Sequence, residues 1–71
     1  MNKLYAVIDI SNDTIYTRQK NLDSLMSWIC SHCTQYVLHN HKIYATYIVD
    51  EVNTSIVTVD VLFDDKKVLS I

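Results

Sequence analysis

Asn21-Leu-Asp-Ser-Leu-Met-Ser-Trp-Ile-Cys-Ser-His-Cys-Thr-Gln-Tyr-Val-Leu38 is the one stretch of this chain in which apolar residues recur at helical spacing. Leu22, Leu25, Met26, Ile29, Cys33, Tyr36 and Val37 fall on a single stripe when residues are placed about 100° apart around an axis. The spacing predicts a helix over 21–38. Asn21 is a suitable N-cap, because its side chain can accept a free backbone N–H of the first turn, and Asp23 suits the positive end of the helix dipole. The chain contains neither glycine nor proline. Asn40 is therefore the residue expected to take the left-handed conformation that ends the helix, just after His39.

On both sides of this helix the period changes to two. Residues 3–10 alternate Leu4, Ala6, Ile8 and Ile10 with Tyr5, Val7 and Asp9, which predicts a strand. Ser11-Asn12-Asp13 supplies turn residues, and 14–18 follows as the second arm of a hairpin, its end marked by Arg18, Gln19 and Lys20. After the helix, 43–52 and 56–63 alternate as strands separated by a turn at Asn53-Thr54, and Asp64-Asp65-Lys66 turns the chain into a short final strand over 67–71. The expected order is β-β-α-β-β-β. Short connections favour antiparallel neighbours, so the chain reads as one two-layer α+β domain over 1–71, a single helix on a sheet of four to five strands. No internal repeat, linker or low-complexity segment interrupts it.

A domain of 71 residues has a small core, and domains of this size commonly depend on a disulfide, a metal or a partner chain. The two cysteines, Cys30 and Cys33, lie too close together to staple distant parts of the fold, which points to a reducing, cytoplasmic setting. The apolar N-terminal run is broken by Asp9 and is too short for a signal peptide, and no run has the length of a membrane span. A net charge of −2 with six Lys and Arg provides no basic stripe for direct nucleic-acid binding, and eight dispersed carboxylates do not imitate a nucleic acid.

Cys30, Cys33, His39 and His41 have the residue types of a metal site, and a metal-binding regulator is one class to weigh. Their spacing is unlike the common zinc modules, which set two ligand pairs a dozen or more residues apart. Cys33 falls on the apolar stripe, as a packed thiol does. The adjacent pairs Asp50-Glu51 and Asp64-Asp65 would point to opposite faces of a strand and form no catalytic dyad. Nothing in the pattern marks an enzyme, and no cofactor is expected.

A single helix covers one sheet face. The face expected beneath it carries Leu4, Ala6, Ile8, Val57, Val59 and Val61. The other would expose Tyr5, Val7, Tyr44, Ile48, Ile56 and Leu62, more apolar than a solvated face requires and suited to binding another protein. Trp28 lies about a third of a turn off the helical stripe. It is expected to be half-exposed, either lapping over a sheet edge or anchoring a partner, with Lys20, Gln35 and Arg18 as its polar rim. The function expected is that of a small non-enzymatic binding module. The alternative is a homodimeric structural or accessory subunit that buries the same face against its twin.

Thr34-Gln35-Tyr36 and the ending Asp64-Asp65-Lys66-Lys67-Val68 resemble corresponding stretches in small early proteins of T4-type bacteriophages, the Dmd-type antitoxins among them. The resemblance covers less than about a fifth of the chain, carries over no functional residues, and does not extend in detail to the N-terminal segment. It implies an inhibitor that neutralises a larger host protein by occlusion in the host cytoplasm.

Overall fold

The computed structural model describes residues 3–62. Six elements follow one another: β1 (Leu4–Asp9), β2 (Ile15–Gln19), α1 (Leu22–His32), β3 (Cys33–His39), β4 (Lys42–Ile48) and β5 (Thr54–Leu62). The strands form one sheet in the order β2-β1-β5-β4-β3, and every neighbouring pair is antiparallel. An N-terminal hairpin and a C-terminal three-strand meander are thus joined by pairing β1 with β5. The result is an α+β fold with one helix on an antiparallel sheet. No helix among the described residues is long and apolar enough to cross a membrane.

The helix begins where its cap predicts. Asn21 is extended, and its side-chain oxygen accepts the backbone N–H of Ser24 at 2.8 Å. It ends earlier than its stripe suggests, at His32 rather than Leu38. Cys33 is already extended, and its N–H donates to the Ile29 carbonyl. Two physical constraints place the break there. Since β2 and β3 are the opposite edges of the sheet, α1 must carry the chain across four inter-strand spacings, about 19 Å. Eleven residues at about 1.5 Å each cover most of that distance. Beyond it, Tyr36 and Val37 would have no sheet beneath them, whereas as a strand Thr34, Tyr36 and Val37 have the branched and aromatic side chains that suit a pleated surface. The strand taken from the second half of the expected helix restores the count of five. The strand expected over 67–71 lies outside the described residues.

Turns in a chain without glycine fall to residues that tolerate positive φ. Asp13, Gln35, Asn40 and His41 have φ of 60°, 47°, 50° and 66°. Asn40 and His41 are both left-handed and connect β3 to β4 through the pair His39 and Lys42, the geometry of a two-residue hairpin turn. Asn40 is therefore left-handed as expected, but it closes a hairpin and does not terminate a helix. Gln35 sits at a bulge, where the β3–β4 register slips between Thr34 and Val37. The loop after β4 is built on Asp50, whose Oδ1 accepts the N–H groups of Val52 and Asn53, both at 2.9 Å.

Residues paired across neighbouring strands share a face, and the core shows which face the helix covers. Leu25 and Ile29 of α1 bury Tyr5, Val7, Ala45 and Val57, with Tyr16, Met26, Trp28, Cys33, Tyr47 and Val59 packed around them. The face of β1 beneath the helix is thus Tyr5, Val7 and Asp9, opposite to that expected, while β5 presents Val57 and Val59 as expected. Leu4, Ala6 and Ile8 belong to the other side.

The hairpin turn yields a test. A β-carbon at a left-handed position costs about 1–2 kcal/mol, which glycine avoids apart from its greater freedom in the unfolded chain. His41→Gly is expected to stabilise the domain by up to about 1 kcal/mol, raising the melting midpoint by several degrees, whereas His41→Ala brings no such gain. Thermal unfolding followed by circular dichroism distinguishes the two.

Candidate interaction surface

The helix-covered side is organised by a buried carboxylate. Asp9 is 2% exposed and accepts four hydrogen bonds. Ser11 donates its N–H at 2.9 Å and its hydroxyl at 2.6 Å to Oδ1, while the Tyr16 and Ser55 hydroxyls donate to Oδ2 at 2.8 and 2.6 Å. These donors come from the loop after β1, from β2 and from β5, so one side chain ties three segments of the fold together. The hydrogen bonds from Ser11 and Ser55, with that from Tyr16, outweigh burial and hold the Asp9 carboxyl well below its ordinary 3.8. The same bond raises the Tyr16 phenol above its ordinary 10, because a phenolate there would face the carboxylate.

Tyr16 reaches Asp9 because of a second bulge. Val7 pairs with Thr17 and Ile8 with Ile15, which leaves Tyr16 as the extra residue. Strict alternation would send its ring to the side opposite Thr17. The bulge instead keeps it on the helix side, where it stacks on Tyr47 with centroids 4.3 Å apart. The stack continues from Tyr47 to Trp28 at 5.7 Å and from Trp28 to His32 at 4.3 Å. The His32 ring also lies 2.9 Å, through Nδ1, from the Trp28 carbonyl. Trp28 is half-buried against the core. A shallow depression beside it is lined by Gln19, Asp23, Ser24, Ser27 and Ser31; Lys20, Gln35 and Arg18 do not line it.

Tyr5 and Val7, expected to be exposed for a partner, are buried beneath the helix at 9% and 0% exposure. The other expected surface residues of the sheet do share the uncovered side. Tyr44 pairs with Thr58 and Thr46 with Ile56, while Ile48 pairs with Thr54 and Leu62 with Leu4. That side therefore carries Leu4, Ile8, Ile15, Tyr44, Ile48, Ile56 and Leu62, and Val37 joins it through its pairing with Tyr44. Ile56, Ile48 and Val37 are 43%, 47% and 59% exposed, and the rest are half-buried. Ala6 and Thr58 lie buried between them. Around this apolar patch stand Arg18, His39 and the cross-strand ion pair of Lys42 with Asp60 at 3.0 Å.

No family model, curated protein or solved structure matches this chain.

The metal-type residues are dispersed. Cys30 is exposed on α1, and Cys33, whose thiol burial pushes up, opens β3. His39 closes the same strand about 20 Å away at strand rise, and His41 lies in the following turn. Among the described residues no three His, Cys, Asp or Glu side chains converge as a metal site would require. Thr34-Gln35-Tyr36 forms part of β3 and its bulge. The Asp64–Val68 stretch lies outside the described residues.

Asp9 sets a pH dependence whose sign is fixed. A carboxyl depressed in the folded state contributes stability that is complete above its unfolded value near 3.8 and is lost progressively as pH falls below it. Asp9→Asn is expected to cost about 2–3 kcal/mol at neutral pH, since an amide offers one acceptor oxygen to donors that the carboxylate serves with two. Urea unfolding at a series of pH values checks this. The gap between native and variant stability should be widest near neutrality and should narrow below about pH 4.

Proposed function

We propose that this chain is a small binding module that engages a larger protein through the uncovered face of its sheet and acts by occupancy, without a chemical step. The observation that carries this is the run of Val37, Tyr44, Ile48 and Ile56 across three adjacent strands. Three of these four side chains are more than two-fifths exposed. Contiguous apolar area framed by charged residues is characteristic of surfaces that become buried on association. The resemblance to phage antitoxins supports the finer reading, in which the bound protein is a bacterial host factor and the outcome is its inhibition. Of the two parts expected of Trp28, its stacking on Tyr47 and His32 supports the one in which it laps against the sheet and seats the helix, and in this proposal the sheet supplies the contact surface.

The reading is tested by Ile48→Asp/Ile56→Asp, which places two charges on the patch while the helix-side core is untouched. The immobilised chain is expected to retain a specific protein from a bacterial lysate, and the double variant to lose it. The variant's melting midpoint should stay close to that of the native chain, because substitutions at exposed positions usually change stability by no more than about 0.5 kcal/mol. Equal retention by both forms would count against the patch. A native chain that sediments as a dimer and becomes monomeric in the double variant would favour the homodimeric alternative.

A further inference from the structure

We infer that the outer edge of β3 is a self-association edge, at which a second copy of the chain adds its own β3 antiparallel across a two-fold axis. The two edges of the sheet are built differently. β2 is five residues long, is bulged at Tyr16 and carries Arg18 as its exposed residue, all features that keep an edge from pairing. β3 is seven residues long, and all six from Thr34 to His39 are exposed. It carries no Lys, Arg, Asp or Glu, and among the described residues no strand lies beyond it.

The hydrogen-bonding phase of this edge follows from its turn. A two-residue hairpin closes on a pair that exchanges both backbone hydrogen bonds, here His39 and Lys42. The next pair, Leu38 and Ile43, then turns its N–H and C=O groups away from each other. The Ile43 carbonyl does accept from the Thr58 hydroxyl on β5, at 3.1 Å, which is the outward direction from β3. The Leu38 backbone accordingly faces the free edge, and alternation back from the paired Val37 turns the carbonyl of Tyr36, the second residue of the bulge, in the same direction.

These groups fix the register. With Val37 on the two-fold axis, Tyr36 of each copy lies opposite Leu38 of the other, so that each Leu38 N–H meets the outward carbonyl of a Tyr36. An aromatic ring opposite a branched aliphatic chain is a favourable cross-strand pair, and no like charges meet. Leu38, at 73% exposure, and Tyr36, at 54%, would gain the most cover. Val37 would meet its own copy on the uncovered side, so that two apolar patches become one surface across a doubled sheet. The identical occupant is favoured because β3 is neutral and self-complementary in this register, a condition that an isologous two-fold contact requires.

Sedimentation equilibrium of the full chain tests the proposal. A reversible dimer of twice 8.3 kDa is expected. Leu38→Pro removes the outward N–H, one from each copy, and leaves the β3–β4 ladder its own bonds. It is expected to weaken the dimer about tenfold or more with the far-ultraviolet spectrum retained. Should that variant fail to fold, Val37→Lys, which sets two like charges at the axis, decides in its place. Ile56→Asp, two strands away from the edge, should leave the dimer intact, and this separates the edge from association through the sheet face. A chain that is monomeric at every concentration would overturn the proposal, as would a dimer indifferent to the deciding substitution. A dimer dispersed by Ile56→Asp would do the same.

Discussion

A carboxylate withdrawn from water must be satisfied by the protein, and the Asp9 side chain meets that demand with four short hydrogen bonds from Ser11, Tyr16 and Ser55. Each donor comes from a different part of the chain, so the requirement of one side chain imposes a relation among the β1–β2 loop, β2 and β5. An isolated buried carboxylate would be strongly unfavourable, whereas one saturated with donors adds specificity, since slipping β1 by one residue would take the charge away from the Tyr16 and Ser55 hydroxyls. In a domain of 71 residues, whose core is necessarily small, such a directional constraint carries more weight than it would in a larger protein.

The consequences spread through packing. Tyr16 is held on the helix side by its bulge and its bond to Asp9, and its ring supports Tyr47, which supports Trp28 on α1. Leu25 and Ile29 then close over Val7 and Val57. Burying Tyr5, Val7 and Asp9 commits Leu4 and Ile8 to the uncovered side, beside Tyr44, Ile48 and Ile56. The apolar patch is thus the complement of the polar anchor: the carboxylate chooses which face the helix covers, and the remaining face is left rich in aliphatic side chains.

Much of this was legible in the sequence wherever local physics decides. Asn21 caps the helix, the alternation that begins at Ile56 reports a strand, and in a chain without glycine the left-handed turn positions fall mainly to Asp and Asn, at Asp13 and Asn40, with His41 beside Asn40. Two features escaped for identifiable reasons. Residues 33–38 fit the helical period and as a strand are interrupted by the bulge at Gln35, so that only the width of the sheet, a property of the whole topology, ends the helix at His32. The two faces of β1 are nearly equal in apolar character, and Asp9 tips a polarity-based choice toward exposing Tyr5 and Val7. What reverses it is Ser55, 46 residues away, together with a bulge that no alternation rule reports. The Asp9-x-Ser11 spacing was the available local signal, since an Asp that bonds the backbone two residues on is a recognised turn. Alternation alone set Tyr44, Ile48, Ile56 and Leu62 on the uncovered side, because β5 holds an unbroken register with both β4 and β1.

The functional reading rests on this choice of face, because a helix seated on Leu4, Ala6 and Ile8 would leave a different surface for association. Nuclear Overhauser contacts between methyl groups examine it most directly. Cross-peaks from Val7 to Leu25 and Ile29, with none from Ile8 to either, are expected. Cross-peaks from Ile8 to Leu25 or Ile29, with Val7 free of the helix, would contradict it.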